Sequence, residues 1–127
     1  MITRRRSSAF TLIELLVVMT IIALLLTLAV PRYFHSVDKS RETVLRDNLS
    51  ILRESLDKYY GDIGKYPDSL DDLVSKKYLR GIPRDPITES NSSWVAVAPV
   101  DTNKGRVYDV HSGAPGKGMD GTNYADW

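Results

Sequence analysis

Apolar residues fill one unbroken stretch near the start of the chain, Phe10 to Val30 (FTLIELLVVMTIIALLLTLAV). At the α-helical rise of ~1.5 Å per residue this stretch reaches about 31 Å, the thickness of a bilayer's hydrocarbon core. Pro31 follows it. The pattern then changes. Leu45, Leu49, Leu52, Leu56, Tyr59 or Tyr60, and Ile63 recur at steps of three and four, while Arg46, Asp47, Arg53, Glu54, Asp57 and Lys58 take the other face. That is the period of an amphipathic helix. With no glycine or proline between Arg32 and Tyr60, the pattern predicts one long helix from about Phe10 to Tyr60. A bend is expected at Pro31, whose ring removes a backbone hydrogen bond and crowds the preceding turn. Gly61 and Gly64 are expected to end the helix.

A second helix is predicted from Pro67 to about Leu79. Asp68 is its expected N-cap, Asp71 and Asp72 occupy the first turn, and Lys76, Lys77 and Arg80 the last, in the order the helix dipole favours. Leu70, Leu73 and Val74 form its apolar face and Gly81 closes it. Ile82-Pro83-Arg84-Asp85-Pro86 reads as a proline-braced loop. Two alternating stretches, Trp94–Val100 and Arg106–His111, flank the turn Asp101–Gly105 and predict a hairpin with the first strand at an edge, because of Pro99. Ser112 to Trp127 is glycine-rich and predicts an irregular loop. The tyrosines at 59, 60, 66, 78 and 108 are expected to fill the junction of long helix and head, with Trp94 anchoring that core. The fold class is therefore α+β: a long N-terminal helix, half membrane span and half amphipathic, on a small antiparallel sheet.

Charge sharpens the picture at one end. The chain carries 17 Lys+Arg against 16 Asp+Glu, and Arg4, Arg5 and Arg6 are the only charges before Glu14. Three arginines ahead of an apolar run hold that end in the cytoplasm. Beyond them the chain is mildly acidic, which argues against nucleic acid as a partner. The absence of cysteine excludes disulfides and thiolate chemistry. No nucleophile motif, phosphate-binding glycine loop or paired-carboxylate signature is present, and His35 and His111 stand far apart with no visible metal or catalytic partners. The small-residue cluster Ser7-Ser8-Ala9 precedes the apolar run, so any processing is expected to remove the arginine head and leave the run in place.

Glu14 is the anomaly. A carboxylate at the centre of the hydrocarbon layer costs about 2.5–3.5 kcal/mol on insertion scales. A cut after Ala9 would create a cationic amine at Phe10, four residues from Glu14. The alternative is an unpaired carboxylate at headgroup level. In the tail, Asp120 and Asp126 lie among the carbonyls of Gly113, Gly116, Gly118 and Gly121. Oxygen-rich loops suit calcium, though the spacing is not that of an EF-hand; the alternative is a polar terminus without metal.

Residues 9 to 31, with Phe10-Thr11-Leu12-Ile13-Glu14 and the run to Pro31, resemble the N-terminus of the type IV pilin and pseudopilin family. The segments Tyr66-Pro67-Asp68-Ser69-Leu70, Tyr78-Leu79, Ile82 to Pro86 and Ser112-Gly113 through Asp120-Gly121, with the missing cysteine pair, are most similar to major pseudopilins of type II secretion systems. The resemblance implies a leader of residues 1–9, a span and filament core of residues 10–31, an amphipathic helix of residues 32–63 and a periplasmic head of residues 64–127. It implies cleavage between Ala9 and Phe10 by a prepilin peptidase and N-methylation of Phe10, with alanine where the family usually has glycine. Glu14 and Pro31 become assembly residues, Glu14 facing a neighbour's terminal amine. Expected partners are further copies of the chain, minor pseudopilins, the inner-membrane assembly platform and, before assembly, membrane lipid. Asp120 matches the first aspartate of a C-terminal calcium loop and Asp126 is placed at the second. The implied function is a non-enzymatic subunit of a fibre that drives exoproteins through the outer membrane. A type IV pilus subunit for adhesion, motility or DNA uptake, and a membrane-anchored binding module or enzyme that never assembles, are the competing readings.

Overall fold

A computed structural model describes residues 9–127; the arginine head, residues 1–8, lies outside them. The element order is α1 (Leu12–Ile63), α2 (Asp71–Ser75), β1 (Val95–Val97) and β2 (Asp109–His111), with short 3-10 turns at Thr102–Lys104 and Tyr124–Asp126. The chain divides into two compact units, Met1–Val37 and Asp38–Trp127. The division falls inside α1, so the amphipathic helix from Asp38 onward belongs to the same unit as the head.

The described part of the first unit is helix from Leu12 onward. Its apolar side chains are uncovered: Leu12, Ile13, Leu24 and Leu28 are all more than 60 % exposed. The segment is long and apolar enough to cross a membrane, and an apolar surface this continuous requires a cover of lipid or protein. Helical hydrogen bonding is retained on both sides of Pro31, which lies within α1. Its missing N–H leaves the Thr27 carbonyl without its usual partner.

The second unit forms because the leucine ladder has one face to bury. Leu45, Leu49, Leu52, Leu56 and Tyr59 are buried and meet Leu73, Trp94, Val107, Val110 and Trp127 in one core. Burying a leucine contributes about 1.5–3 kcal/mol, so these few side chains dominate the head's stability. Tyr59 takes the inward position. Tyr60 instead stacks on Tyr66, with ring centroids 4.5 Å apart, and Tyr66 meets Tyr108 edge to face. Ile63, expected on the buried face, is exposed, because the ladder ends at Tyr59. Gly61 continues the helix and Gly64 stops it: its φ is +80° and its N–H closes on the Tyr60 carbonyl at 2.8 Å.

Two predicted elements are shorter than their patterns. The second helix has only five residues, and Asp68 does not cap it; the Asp68 N–H instead donates to the Asp72 carboxylate. It ends early because Lys77 turns left-handed, with φ of 65°, and the Tyr78 and Leu79 amides both converge on the Leu73 carbonyl. Gly81 therefore has no helix to close. β1 and β2 pair antiparallel with Ala96 opposite Val110. The sheet is narrow because the Arg106 and Val107 amides donate to the Pro67 carbonyl and Pro99 offers no donor. Arg53 fastens α1 to β2, donating from Nε to Asp109 at 2.9 Å and from Nη2 to the Val110 carbonyl.

Asp85 is the buried lock of the proline-braced loop. It is fully buried. Its Oδ1 accepts the Ile87 and Thr88 amides, and its Oδ2 accepts the Ser112 hydroxyl at 2.6 Å. Asn48 ties α1 to the same loop through the Arg84 carbonyl. Trp94 anchors the core as expected, its indole N–H donating to the Pro83 carbonyl at 2.8 Å.

Candidate functional site

The N-terminal site is built by Thr11 and Glu14. Thr11 precedes α1, so its Oγ1 is free to accept the Glu14 N–H at 3.1 Å, while Glu14 Oε2 accepts the Thr11 N–H at 3.3 Å. This is a capping box: two backbone donors that an isolated helix start leaves unpaired are satisfied reciprocally. A carboxylate at this end also faces the positive pole of the helix dipole. Glu14 is thus held at the mouth of the apolar segment rather than stranded within it. Ala9 and Phe10 are exposed residues just ahead of the cap, outside the helix. Pro31 lies 17 residues further along α1, about 26 Å at helical rise, and shares no contact with this end. Thr11 carries half the arrangement and is legible in the spacing Thr11-x-x-Glu14.

The second candidate lies within the head, where the tail folds over α1. An open cleft of about 680 Å³ is bordered by Arg46, Arg53, Lys117, Asp120, Asp126 and Trp127. The tail is ordered by its own backbone: the Gly118 N–H donates to the Thr122 carbonyl, Gly121 to Gly118 and Tyr124 to Gly116. Gly118 has no room for a side chain, since a Cβ there would stand 2.5 Å from the Trp127 ring. Two α1 residues one turn apart grip the tail. Glu42 Oε1 accepts the Met119 N–H at 2.7 Å and the Tyr124 hydroxyl at 2.9 Å. Arg46 Nη2 donates to Asp120 Oδ2 at 3.0 Å, and its guanidinium lies over the Trp127 ring, 3.8 Å from the centroid. Burial, reinforced by the Glu42 hydrogen bond, lifts the Tyr124 phenol from its usual value to about 12. Hydrogen bonds from the Thr122 hydroxyl and amide, aided by the Arg46 charge, hold the Asp120 carboxyl below its usual range.

Calcium takes six to eight oxygen ligands, carboxylates first. Here Asp120 Oδ1 accepts the Thr122 amide and hydroxyl and Oδ2 accepts Arg46. Asp126 shares the cleft but turns to Asn123. Among the described residues no three acidic or histidine side chains converge on one point, and three cationic side chains border the cleft against two carboxylates. Asp120 thus has both carboxylate oxygens engaged within the head, and Asp126 is the one other carboxylate bordering the cleft. His111, in β2, directs Nδ1 to the Trp127 carbonyl oxygen at 2.6 Å and has the tail as its partner. His35 is solvent-exposed on α1.

Comparison with known proteins bears on the first of these sites. The family pattern described as the prokaryotic N-terminal methylation motif matches residues 4–30. Along the whole chain, the type II secretion system core protein G of Pseudomonas aeruginosa is 33 % identical, over 97 % of this chain and 94 % of the relative. The core protein G of Aeromonas hydrophila is 31 % identical over 65 % of this chain and 69 % of its own. That of Xanthomonas campestris pv. campestris is 24 % identical over 92 % and 76 %. No solved structure matches the chain.

Proposed function

Because the chain belongs to the family of type II secretion system core protein G, we propose that it is the repeating subunit of a secretion pseudopilus. In this reading it waits in the inner membrane, with its arginine head cytoplasmic and its α+β head periplasmic. A prepilin peptidase cuts between Ala9 and Phe10, and the new Phe10 amine is methylated. Copies then leave the bilayer, joined by minor pseudopilins on an assembly platform, and the growing fibre pushes exoproteins toward an outer-membrane pore.

The observation that carries this reading is Glu14, held in a capping box at the mouth of an uncovered apolar helix. An ordinary anchor needs no carboxylate there. In a fibre, the leucine and isoleucine faces exchange lipid for one another without net hydrophobic gain, so packing and polar contacts must choose the stagger. A Glu14 carboxylate facing a neighbour's Phe10 amine is satisfied at one axial register only, the best-attested use of a buried ion pair. The role is structural, with assembly as its only chemistry after processing.

The direct test is Glu14→Ala, measuring exoprotein secretion and fibre formation together. Both are expected to fail while the processed subunit accumulates in the membrane. Full assembly of this variant would remove Glu14 from the account. Fibres on the cell surface at native expression, with secretion unaffected by deleting the gene, would favour a type IV pilus subunit instead.

A further inference from the structure

The cleft between tail and α1 is bridged by a cation that the chain supplies itself. Four side chains form a ring: Arg46 donates to Asp120, Asp120 accepts from the Thr122 hydroxyl, Thr122 accepts from the Trp127 indole at 2.7 Å, and Trp127 lies under the Arg46 guanidinium. One turn earlier on α1, Glu42 holds Met119 and Tyr124. Each of the four side chains in the ring thus contacts the two beside it. A planar guanidinium suits it, with one edge for the carboxylate and one face for the indole. A calcium ion on Asp120 would sit beside that guanidinium, displace it from both contacts, and find one further side-chain carboxylate, Asp126, in the same cleft.

We propose that Arg46 is the resident cation of the C-terminal loop, so that the head closes and stays closed without calcium. The loop's order then depends on Arg46 and not on the metal content of the surroundings. This inference is independent of the assembly reading, since it concerns folding of the head and not fibre formation.

The full chain in detergent micelles is melted with about 1 mM calcium, enough to fill an extracellular-type site, and with chelator. Exchange of the Gly118, Gly121 and Tyr124 amides is followed alongside. The wild type is expected to show the same Tm in both solutions. Arg46→Gln is expected to lose on the order of 5 °C, with exchange of those amides accelerated about tenfold. Arg46→Lys, which keeps the charge and loses the planar stack, is expected to fall between. A calcium-dependent rise in the wild-type Tm would overturn the proposal even if Arg46→Gln fails to fold. Unchanged loop exchange in Arg46→Gln would overturn it as well.

Discussion

Thr11 and Glu14 satisfy one another at the start of α1, hydroxyl to amide and carboxylate to amide, at 3.1 and 3.3 Å. The pair caps the helix, and the assembly role proposed above would give Glu14 a second, separable duty, offering charge to another subunit. Glu14→Gln keeps an acceptor for the Thr11 amide and removes the charge, whereas Thr11→Val removes the cap and keeps the charge. Thr11→Val is expected to weaken the helix start by about 1 kcal/mol, read as earlier fraying in amide exchange, with fibres still forming. Glu14→Gln is expected to keep the helix start and lose the fibres. Fibres from Glu14→Gln at wild-type yield would show that capping, not charge, is what assembly needs.

Asp85 serves three donors from full burial. Asp85→Ala leaves the Ile87 and Thr88 amides and the Ser112 hydroxyl without their acceptor, at about 1–3 kcal/mol each for whichever stay buried. A Tm loss exceeding 10 °C is expected by the usual scaling for a head of this size. Asp85→Asn presents a donor where Ser112 also donates and is expected to recover only part. A Tm within 2 °C of wild type for the alanine variant, on the same scaling, would mean that water replaces the carboxylate.

Leu52 is fully buried in the centre of the ladder. Leu52→Ala is expected to destabilise the head by about 2–5 kcal/mol, measured by denaturant midpoint with an unchanged m-value. Ile51, its exposed neighbour, changed to alanine is expected to stay within about 0.5 kcal/mol.

Two groups give the tail opposite pH limits. Asp120 is held below its usual range, so its contribution is present above the unfolded carboxylate value and is lost as the pH falls through the folded one. Tyr124 is raised to about 12. Its contribution is present below the unfolded tyrosine value near 10 and lost as the pH rises toward 12. Tm against pH is expected to lose part of its acid limb in Asp120→Asn and part of its alkaline limb in Tyr124→Phe. Curves that superimpose on wild type would show that neither group titrates differently on folding.

The ladder from Leu45 to Tyr59 was legible because a helix face repeats in sequence and burial follows the repeat. Glu14 was legible because the apolar run makes any charge conspicuous; the cap from Thr11 was missed, although a capping box has a fixed spacing. Asp85 was not, since its partner Ser112 is 27 residues away and no local rule links them. Glu42 and Arg46 look like any solvated charge pair four residues apart; only the returning tail gives them work. The length of α2 was misjudged for a related reason. Capping rules describe a helix by itself, but the Leu73 carbonyl draws the Tyr78 and Leu79 amides out of helical register.

The leucine ladder on α1 also sets a timetable for biosynthesis. Leu45 to Tyr59 are synthesised well before Trp94, Val107, Val110 and Trp127, the side chains that cover them. At about 5–20 residues per second, the ladder stays open for several seconds while its cover is still being made. During that interval the nascent chain presents a greasy helix continuous in sequence with a membrane-length one. An unfinished chain with both of these faces uncovered is prone to aggregate until the tail is made.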